Sequence, residues 1–387
     1  MTSAPLVWVI MTDHSIIEMR VHCVSVPAKA THSHGSGDVG GINAVLLELV
    51  TDSGLAGWGE ASPWPVFTGT VEANAAALHQ HFRPIVIGRD PRQIEPILHA
   101  ANRALVAHNE AKAALECALL DLTGQIAGLP IAELVGGRFR DTIPLSFSVA
   151  NPDFEEDLGD IARIWDSGVR IFKLKTGFAD HAFDLMRLEK LRAQYGDAIH
   201  LRVDYNQGLP AYDAIRHIRD LEVFRPDFVE QPVKRHEREA LAEITRAVDV
   251  PIMADESVFD VQDALRGAAA RTADIFSLKT AKSGGIRRCV EIAAIARAAG
   301  IEVYGGCMFE TSVAHMAGAH LMAAIPDLKL GCEFYMSTYY AEADLGSTPF
   351  PVRDGHVYVP TSPGLGTAPE PEMLDRYRTC LLTNGTS

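Results

Sequence analysis

Short apolar runs that end in a charged residue recur through the middle of the chain. The runs that end at Asp204, Glu230, Asp255 and Lys279 follow one another at intervals of about 25 residues, which is the length of one strand-loop-helix unit in a parallel barrel. Apolar parallel strands are buried, so a charge at the C-terminal end of successive strands indicates a functional site.

The same pattern extends back to residues 171–175, where Lys173 and Lys175 alternate with apolar residues. Alternation along a strand places both lysines on one face. Neighbouring ammonium groups lower each other's pKa, as a lysine base at neutral pH requires. We therefore predict that Lys175 is catalytic and that Lys173 is its partner, which tunes the base and contacts substrate. The simpler alternative is two exposed lysines on an edge strand.

Helical patterns follow these strands and separate them. They cover residues 181–195, 211–221, 238–247, 261–270 and 286–299. Further strands near residues 302–304 and 328–334 would close a ring. Upstream, residues 16–26, 44–50 and 55–60 have the pattern of an antiparallel meander, followed by an alanine-rich helix at 110–122.

These elements predict an α/β chain in three parts. Residues 1–140 form an α+β capping domain, residues 141–345 form the barrel, and residues 346–387 return to the capping domain. The loops around residues 35–41 and 62–69 are predicted to act as lids over substrate. The first loop matches the G-x-G-x-x-G pattern of dinucleotide-binding folds, but a strand follows it where that fold requires a helix.

Composition narrows the class of protein. The formal net charge of −15 argues against nucleic-acid or anionic-membrane partners. No apolar run approaches the ~18 residues of a membrane span, and the apolar start of the chain lacks the basic flank of a signal peptide. The six cysteines have no paired spacing, so we expect reduced thiols in a cytoplasmic protein.

Three converging carboxylates would repel one another unless a cation lay between them. Oxygen ligands favour a hard ion, Mg²⁺ before Mn²⁺ or Ca²⁺. Each of Asp204, Glu230 and Asp255 could instead cap a helix, but their common position at strand ends argues against three caps. Lys279 would face the opposite side of a substrate held on the metal. Lys282 is interpreted only as a loop or helix-start cation.

With these motifs the chain resembles the muconate-lactonizing subgroup of the enolase superfamily, which includes mandelate racemase and muconate lactonizing enzymes. The segments that carry the resemblance are Lys173-Leu174-Lys175, Val203-Asp204-Tyr205-Asn206-Gln207, Val229-Glu230-Gln231-Pro232, Ala254-Asp255-Glu256-Ser257 and residues 278–285, with sequence LKTAKSGG.

The resemblance implies a modified TIM barrel, (β/α)₇β, beneath an N-terminal α+β cap, and assembly as a homo-oligomer. It also implies a small carboxylate substrate, Mg²⁺ held by the three acidic residues, and acid/base catalysis by Lys175 and Lys279. Candidate substrate contacts are Glu333, Asn206, Asp38, His32, Trp64, Phe67, Cys307 and Phe309. Met308 and Glu310, in the same loop as Cys307 and Phe309, are also expected to line the pocket.

The catalytic residues alone do not choose the reaction. The two lid segments contain Asp38 and aromatic residues but neither Lys nor Arg, which favours a substrate bearing an ammonium group. The expected reaction is dehydration of an amino-acid-type substrate, similar to that of cis-3-hydroxy-L-proline dehydratases. The alternatives are muconate-type cycloisomerisation and amino-acid racemisation or epimerisation. A non-enzymatic metal-binding scaffold is a different class, which would not need three lysines at the site.

Overall fold

The N-terminal part of the chain folds into an antiparallel sheet with helices packed against it. The computed structural model describes residues 14–34 and 37–384, and of residues 30–38 it describes at most the backbone. The first strands are β1 (Ile16–His34), β2 (Gly37–Thr51) and β3 (Ala56–Ala61). The helices that follow are α1 (Val71–Ala76), α2 (Arg83–Val86), α3 (Ile94–Ala104), α4 (Asn109–Ala127) and α5 (Ile131–Leu134), with a π-helix at Ala77–Phe82.

Helix α4 is the centre of this part because its small side chains allow close packing. Its alanines face strand β3, where a Cβ on Gly59 would lie 1.9 Å from the carbonyl oxygen of Ala114. Only glycine therefore fits at position 59. The helix ends at Gly128, which has the left-handed conformation with φ +70° that glycine adopts readily after a helix.

A seven-stranded parallel sheet forms most of the barrel. Its strands, preceded by a short β4 (Thr142–Pro144), are β5 (Ser146–Val149), β6 (Ile171–Lys175), β7 (His200–Asp204), β8 (Val229–Glu230), β9 (Ile252–Ala254), β10 (Ile275–Leu278) and β11 (Glu302–Gly305). The sheet runs from β5 to β11 in chain order. Helices alternate with these strands, as α6 (Phe154–Asp166), α7 (His181–Tyr195), α8 (Ala211–Leu221), α9 (Arg238–Ala247), α10 (Val261–Ala270), α11 (Thr280–Ser283), α12 (Ile286–Ala298) and α13 (Ser312–Ala324).

One residue bridges the two edges of the seven-stranded sheet and closes the barrel. Cys332 forms parallel β-bridges to Leu145, which precedes the edge strand β5, and to Gly305, in the other edge strand, β11. The sequence predicted a full strand at residues 328–334, and this prediction is wrong. Gly331 has a φ of +74°, which breaks the extended run, and the chain soon enters a π-helix at Met336–Tyr340.

The C-terminal segment pairs with both parts of the chain. Strands β12 (Val352–Arg353) and β13 (His356–Tyr358) extend β4, and after α14 (Pro371–Tyr377) strand β14 (Arg378–Leu382) pairs antiparallel with β1. The sheet order is β14-β1-β2-β3. Among the described residues, no helix combines the length and the apolar character needed to cross a bilayer.

The predicted helices are confirmed almost residue by residue between α7 and α12. The glycine-rich lid predicted near residues 35–41 is wrong as a loop, because the backbones of Gly37, Gly40 and Gly41 lie within β2, where Gly37 and Gly41 pair with β1. Residues 35–36 lie outside the described part of the chain. The antiparallel hairpin also excludes a dinucleotide-binding turn, which would require a helix after the glycines.

Candidate active site

Strand register brings the predicted acidic residues to one end of the barrel. Lys175 pairs with Asp204 between β6 and β7, and Asp204 pairs with Glu230 between β7 and β8. Asp255 follows the last residue of β9. In a parallel sheet, residues in register lie at one level, so these side chains come together at the C-terminal mouth.

The backbone just after these strands is constrained. Asn206 and Gln231 have positive φ values of +43° and +33°, which are unfavourable for residues other than glycine. The Gln231 side-chain oxygen accepts from the backbone N–H groups of Asp255 and Ser257 at 3.0 and 3.1 Å. It thereby fixes the turn that carries Asp255. Strain held in place beside converging carboxylates is typical of a functional site.

Three lysines lie against the acidic residues. Lys175 Nζ is 2.6 Å from Asp204 Oδ2, and Lys279 Nζ is 2.6 Å from Asp255 Oδ2. Lys173 Nζ lies 2.7 Å from Glu230 Oε2 and 2.5 Å from Glu333 Oε2. The two lysines predicted as acid/base residues therefore contact different carboxylates.

The interpretation of Lys282 as a peripheral cation is wrong. Its side chain is wholly buried, and Nζ donates to Asp255 Oδ1 and to the Asp255 and Ser277 carbonyl oxygens at 2.8 to 2.9 Å. The one-turn helix α11 bends the chain back toward the barrel, so Lys282 points inward. Nothing in the loop sequence distinguishes this direction from an exposed one.

The pKa of Lys173 differs from the prediction that neighbouring ammonium groups lower each other's pKa. Burial favours the neutral form of Lys173, but the carboxylates of Glu230 and Glu333 outweigh it and raise the pKa of Lys173. Lys173 Nζ lies within 2.7 Å of two carboxylate oxygens, which explains the difference. Burial likewise opposes ionisation of Asp204, yet Lys175 and Lys173 lower its pKa.

The acidic set fits a divalent cation. Burial and the neighbouring Asp204 charge raise the pKa of Glu230 to about 8, and burial with Asp255 raises that of Glu256 to about 7. Both residues are buried, and each has a carboxylate oxygen without a hydrogen-bond partner, Glu230 Oε1 and Glu256 Oε2. A buried oxygen of this kind is costly unless it meets a proton or a cation. All-oxygen donors match a hard ion such as Mg²⁺.

The helix-cap alternative does not hold. Helices α8, α9 and α10 begin after Pro210, Glu237 and Asp260. None of the three strand-end carboxylates occupies a cap position.

A cavity of about 30 Å³ lies above the carboxylates. The predicted residues that line it are Lys175, Lys279, Asp255, Asn206, Glu333, Trp64, Phe67, Cys307 and Phe309. The rings of Trp64 and Phe309 lie 5.6 Å apart and those of Phe67 and Phe259 lie 5.3 Å apart. The loop after β3 thus reaches the barrel and covers its mouth with aromatic side chains.

Some predicted contacts are not part of this cavity. Lys173 is one layer deeper than Lys175 and does not line it, so its predicted contact with substrate is not found there. Of the two other residues predicted in the loop, Met308 lines the cavity, whereas Glu310 is buried and does not. The side chains of His32 and Asp38 lie outside the described part of the chain. Three lining residues were missed, Ser148, Tyr335 and Met336, because only the closed ring brings β5 and the segment after Cys332 together at the mouth.

A further missed residue joins the cap to the barrel. Glu60, at the end of β3, accepts from Thr311 N at 2.9 Å, Thr311 Oγ1 at 2.5 Å and Ala314 N at 3.0 Å. These groups form the start of α13, whose free N–H groups favour a negative partner. The loop that precedes α13 carries Cys307 and Phe309, so Glu60 ties the cavity wall to the capping sheet.

A capped barrel in which lysines and carboxylates converge at the C-terminal ends of the strands is typical of an enzyme. A model of the mandelate racemase / muconate lactonizing enzyme N-terminal domain matches residues 16–136, and one of the enolase C-terminal domain-like family matches residues 157–373. The chain therefore belongs to the enolase superfamily, in its muconate-lactonizing subgroup.

Individual relatives span most of the chain. The L-Ala-D/L-Glu epimerase of Bacillus subtilis (strain 168) is 35% identical over 80% of this chain and 85% of its own length. Muconate cycloisomerase 1 of Pseudomonas putida is 33% identical over 86% of this chain and 90% of its own. The crystal structure of the Pseudomonas fluorescens muconate lactonizing enzyme with muconolactone has a TM-score of 0.91 and 32% identity, covering 95% and 100% of the two chains.

Proposed function

We propose that the protein is a divalent-metal-dependent isomerase that exchanges a proton α to a carboxylate, with a muconate-type cycloisomerisation as its reaction. One observation carries the proposal: Lys175 and Lys279 line the same cavity from different strands. The relatives named above are cycloisomerases and an epimerase, which favours isomerisation over the expected hydroxyproline dehydration.

The acidic residues would hold the ion. Mg²⁺ bound by Asp204, Glu230 and Asp255, or Mn²⁺ in its place, would supply positive charge that stabilises the negative charge developing on the substrate carboxylate. Lys282 orients Asp255, and Lys173 holds Glu230 and Glu333.

The lysines would move the proton. In lactone formation, one oxygen of the distal carboxylate adds to the substrate double bond and a lysine ammonium delivers a proton to the carbon α to the other carboxylate. In the reverse direction, the neutral lysine removes that proton and the ring C–O bond breaks. The aromatic cover formed by Trp64, Phe67 and Phe309 would exclude water from the reacting carbon.

The charged groups around the cavity distinguish between the candidate classes of substrate. Within the described part of the chain, its two lining carboxylates are already paired, Asp255 with Lys279 and Lys282, and Glu333 with Lys173. A substrate ammonium would therefore meet no unpaired carboxylate there. This disfavours free amino acids and favours an unsaturated acid.

Epimerisation is the second candidate, and the presence of two lysines, Lys175 and Lys279, at one cavity favours it. If one lysine removes the α-proton and the other delivers a proton to the opposite face, the configuration of the α-carbon between them is inverted. An α-carbon held between Lys175 and Lys279 would meet this requirement.

Proton NMR in D₂O tests both candidates. The protein with Mg²⁺ is incubated separately with cis,cis-muconate, with muconolactone and with an Ala-Glu dipeptide, and EDTA samples serve as controls. Interconversion of muconate and the lactone, with one deuteron incorporated, supports cycloisomerisation. Loss of the Glu α-proton signal with inversion supports epimerisation. Absence of metal-dependent exchange in every sample would refute both.

A further inference from the structure

Beside the catalytic cavity, three side chains of the kinds that bind metal ions converge from residues 307–315. The Sγ of Cys307, a carboxylate oxygen of Glu310 and a ring nitrogen of His315 all lie within 4.8 Å of one another, and all three residues are buried. His315 Nε2 lies 3.9 Å from Glu310 Oε2 and has no hydrogen-bond partner. A buried ring nitrogen that faces a carboxylate without a hydrogen bond is unusual.

We propose that Cys307, Glu310 and His315 form a second metal site, distinct from the strand-end carboxylates, for a borderline-soft dication such as Zn²⁺ or Co²⁺. Sulfur, nitrogen and oxygen donors together suit Zn²⁺, whereas the all-oxygen set of Asp204, Glu230 and Asp255 suits Mg²⁺. The two sites therefore select different ions by their chemistry.

Neighbouring groups orient the ligands. His315 Nδ1 lies 3.0 Å from Ser337 Oγ, and with Nδ1–H donating to that hydroxyl, the lone pair of Nε2 faces Glu310. Glu310 Oε1 accepts from Met308 N at 3.1 Å, which leaves Oε2 available. Metal ligands in proteins are held by partners of this kind.

No lysine or arginine of the described residues forms an ion pair with the carboxyl groups of Glu60 and Glu310 beside the site. Glu60 and Glu310 influence each other electrostatically. Burial, with the Glu60 charge, raises the pKa of Glu310 to about 8. Burial also raises the pKa of Cys307, whose thiol lies 3.1 Å from the Glu333 carbonyl oxygen. Binding of a dication would release these protons to solvent and end that thiol contact.

The geometry needs only a small adjustment. Ligand atoms around tetrahedral zinc lie about 3.5 Å apart, so separations of 4.8 Å or less must close by at most about 1.3 Å. Three protein ligands leave a fourth position. Cys307 also lines the catalytic cavity, so an ion can enter there, and water or a bound carboxylate can complete the shell.

Cobalt binding tests the site by a readout other than turnover. The protein, saturated with Mg²⁺, is titrated with Co²⁺ while the near-ultraviolet thiolate-to-cobalt charge-transfer absorption is recorded. We expect one equivalent of Co²⁺ to produce this absorption and Zn²⁺ to abolish it by displacement. Oxygen ligands cannot produce it, so binding at the Mg²⁺ site is not mistaken for binding here.

Variants identify the ligands. Cys307→Ser, which is close in shape, is expected to abolish the absorption, and His315→Gln to weaken Co²⁺ binding at least tenfold. Cys380→Ser removes an exposed thiol and is expected to change nothing. Thermal unfolding checks that each variant is folded. The proposal is overturned if the absorption never appears, survives in Cys307→Ser, or is lost in Cys380→Ser.

Discussion

Lys282 Nζ donates to Asp255 Oδ1 at 2.8 Å and, at the same distance, to the carbonyl oxygen of the same residue. Lys279 holds the other carboxylate oxygen, Oδ2, at 2.6 Å. Two buried ammonium groups therefore fix both oxygens of Asp255. Lys282 does not line the cavity, so its effect on any reaction passes through Asp255, and it is a positioning residue.

Replacement of Lys282 by Met is expected to weaken Mg²⁺ binding and to destabilise the protein. Removal of one partner of a buried pair costs about 3–5 kcal/mol, and loss of a group that orients a metal ligand costs about 10- to 100-fold in affinity. Calorimetric Mg²⁺ titration and thermal unfolding measure the two effects. The control is Lys329→Met, which removes an exposed lysine paired with Glu302. Equal Mg²⁺ affinity in the two variants would contradict the positioning role.

Lys175→Ala and Lys279→Ala are each expected to lower turnover by about 10²- to 10⁴-fold, the usual contribution of a general acid or base. Mg²⁺ stoichiometry and far-ultraviolet circular dichroism should remain as in the parent, because the strand-end carboxylates are still present. Lys190→Ala is a matched control, since Lys190 pairs with Glu155 on the surface. Full turnover in either active-site variant would remove that lysine from the mechanism.

Periodicity predicted the barrel because each unit repeats the same local signals. Helix α7, for example, begins after Asp180, which caps it, and ends at Gly196 with a φ of +58°. Features that depend on contacts between distant segments were not predictable in this way. The Glu60 bonds to α13 span 251 residues or more, and the inward direction of Lys282 appears only once β9 and β10 lie side by side. The charge balance at Lys173 likewise depends on distances that no spacing rule supplies.

Removal of divalent metal is expected to lower the unfolding temperature. A ligand that binds only the folded state adds about 2.7 kcal/mol of stability at 100 times its Kd. Thermal unfolding with saturating Mg²⁺ and with EDTA measures this shift. Glu230→Gln removes one carboxylate charge from the strand-end set and should abolish most of the shift, and a Mg²⁺-dependent shift that persists unchanged in this variant would exclude Glu230 as a ligand.

Glu116 provides a pH prediction independent of the active site. Its carboxyl lies within α4, where Oε2 is 3.3 Å from Arg287 N and Oε1 has no partner. Burial outweighs the interaction with Arg287 and raises the pKa of the Glu116 carboxyl from 4.5 to about 7. The folded chain therefore keeps the proton to a higher pH than the unfolded chain. The resulting stability is complete below about pH 4.5 and is lost as the pH rises through about 7.

Glu116→Gln should remove this dependence, because a glutamine amide does not ionise. The free energy of unfolding of the variant, relative to the parent, is expected to rise by up to about 3 kcal/mol between about pH 5 and pH 8. Other buried acids, such as Asp121 and Asp157, titrate equally in both proteins and cancel in the difference. Urea unfolding at several pH values measures it, with the exposed Glu133→Gln as the control. Parallel stability curves for parent and Glu116→Gln would mean that Glu116 is already ionised in the folded protein, so that the contact with Arg287, and not burial, sets its charge.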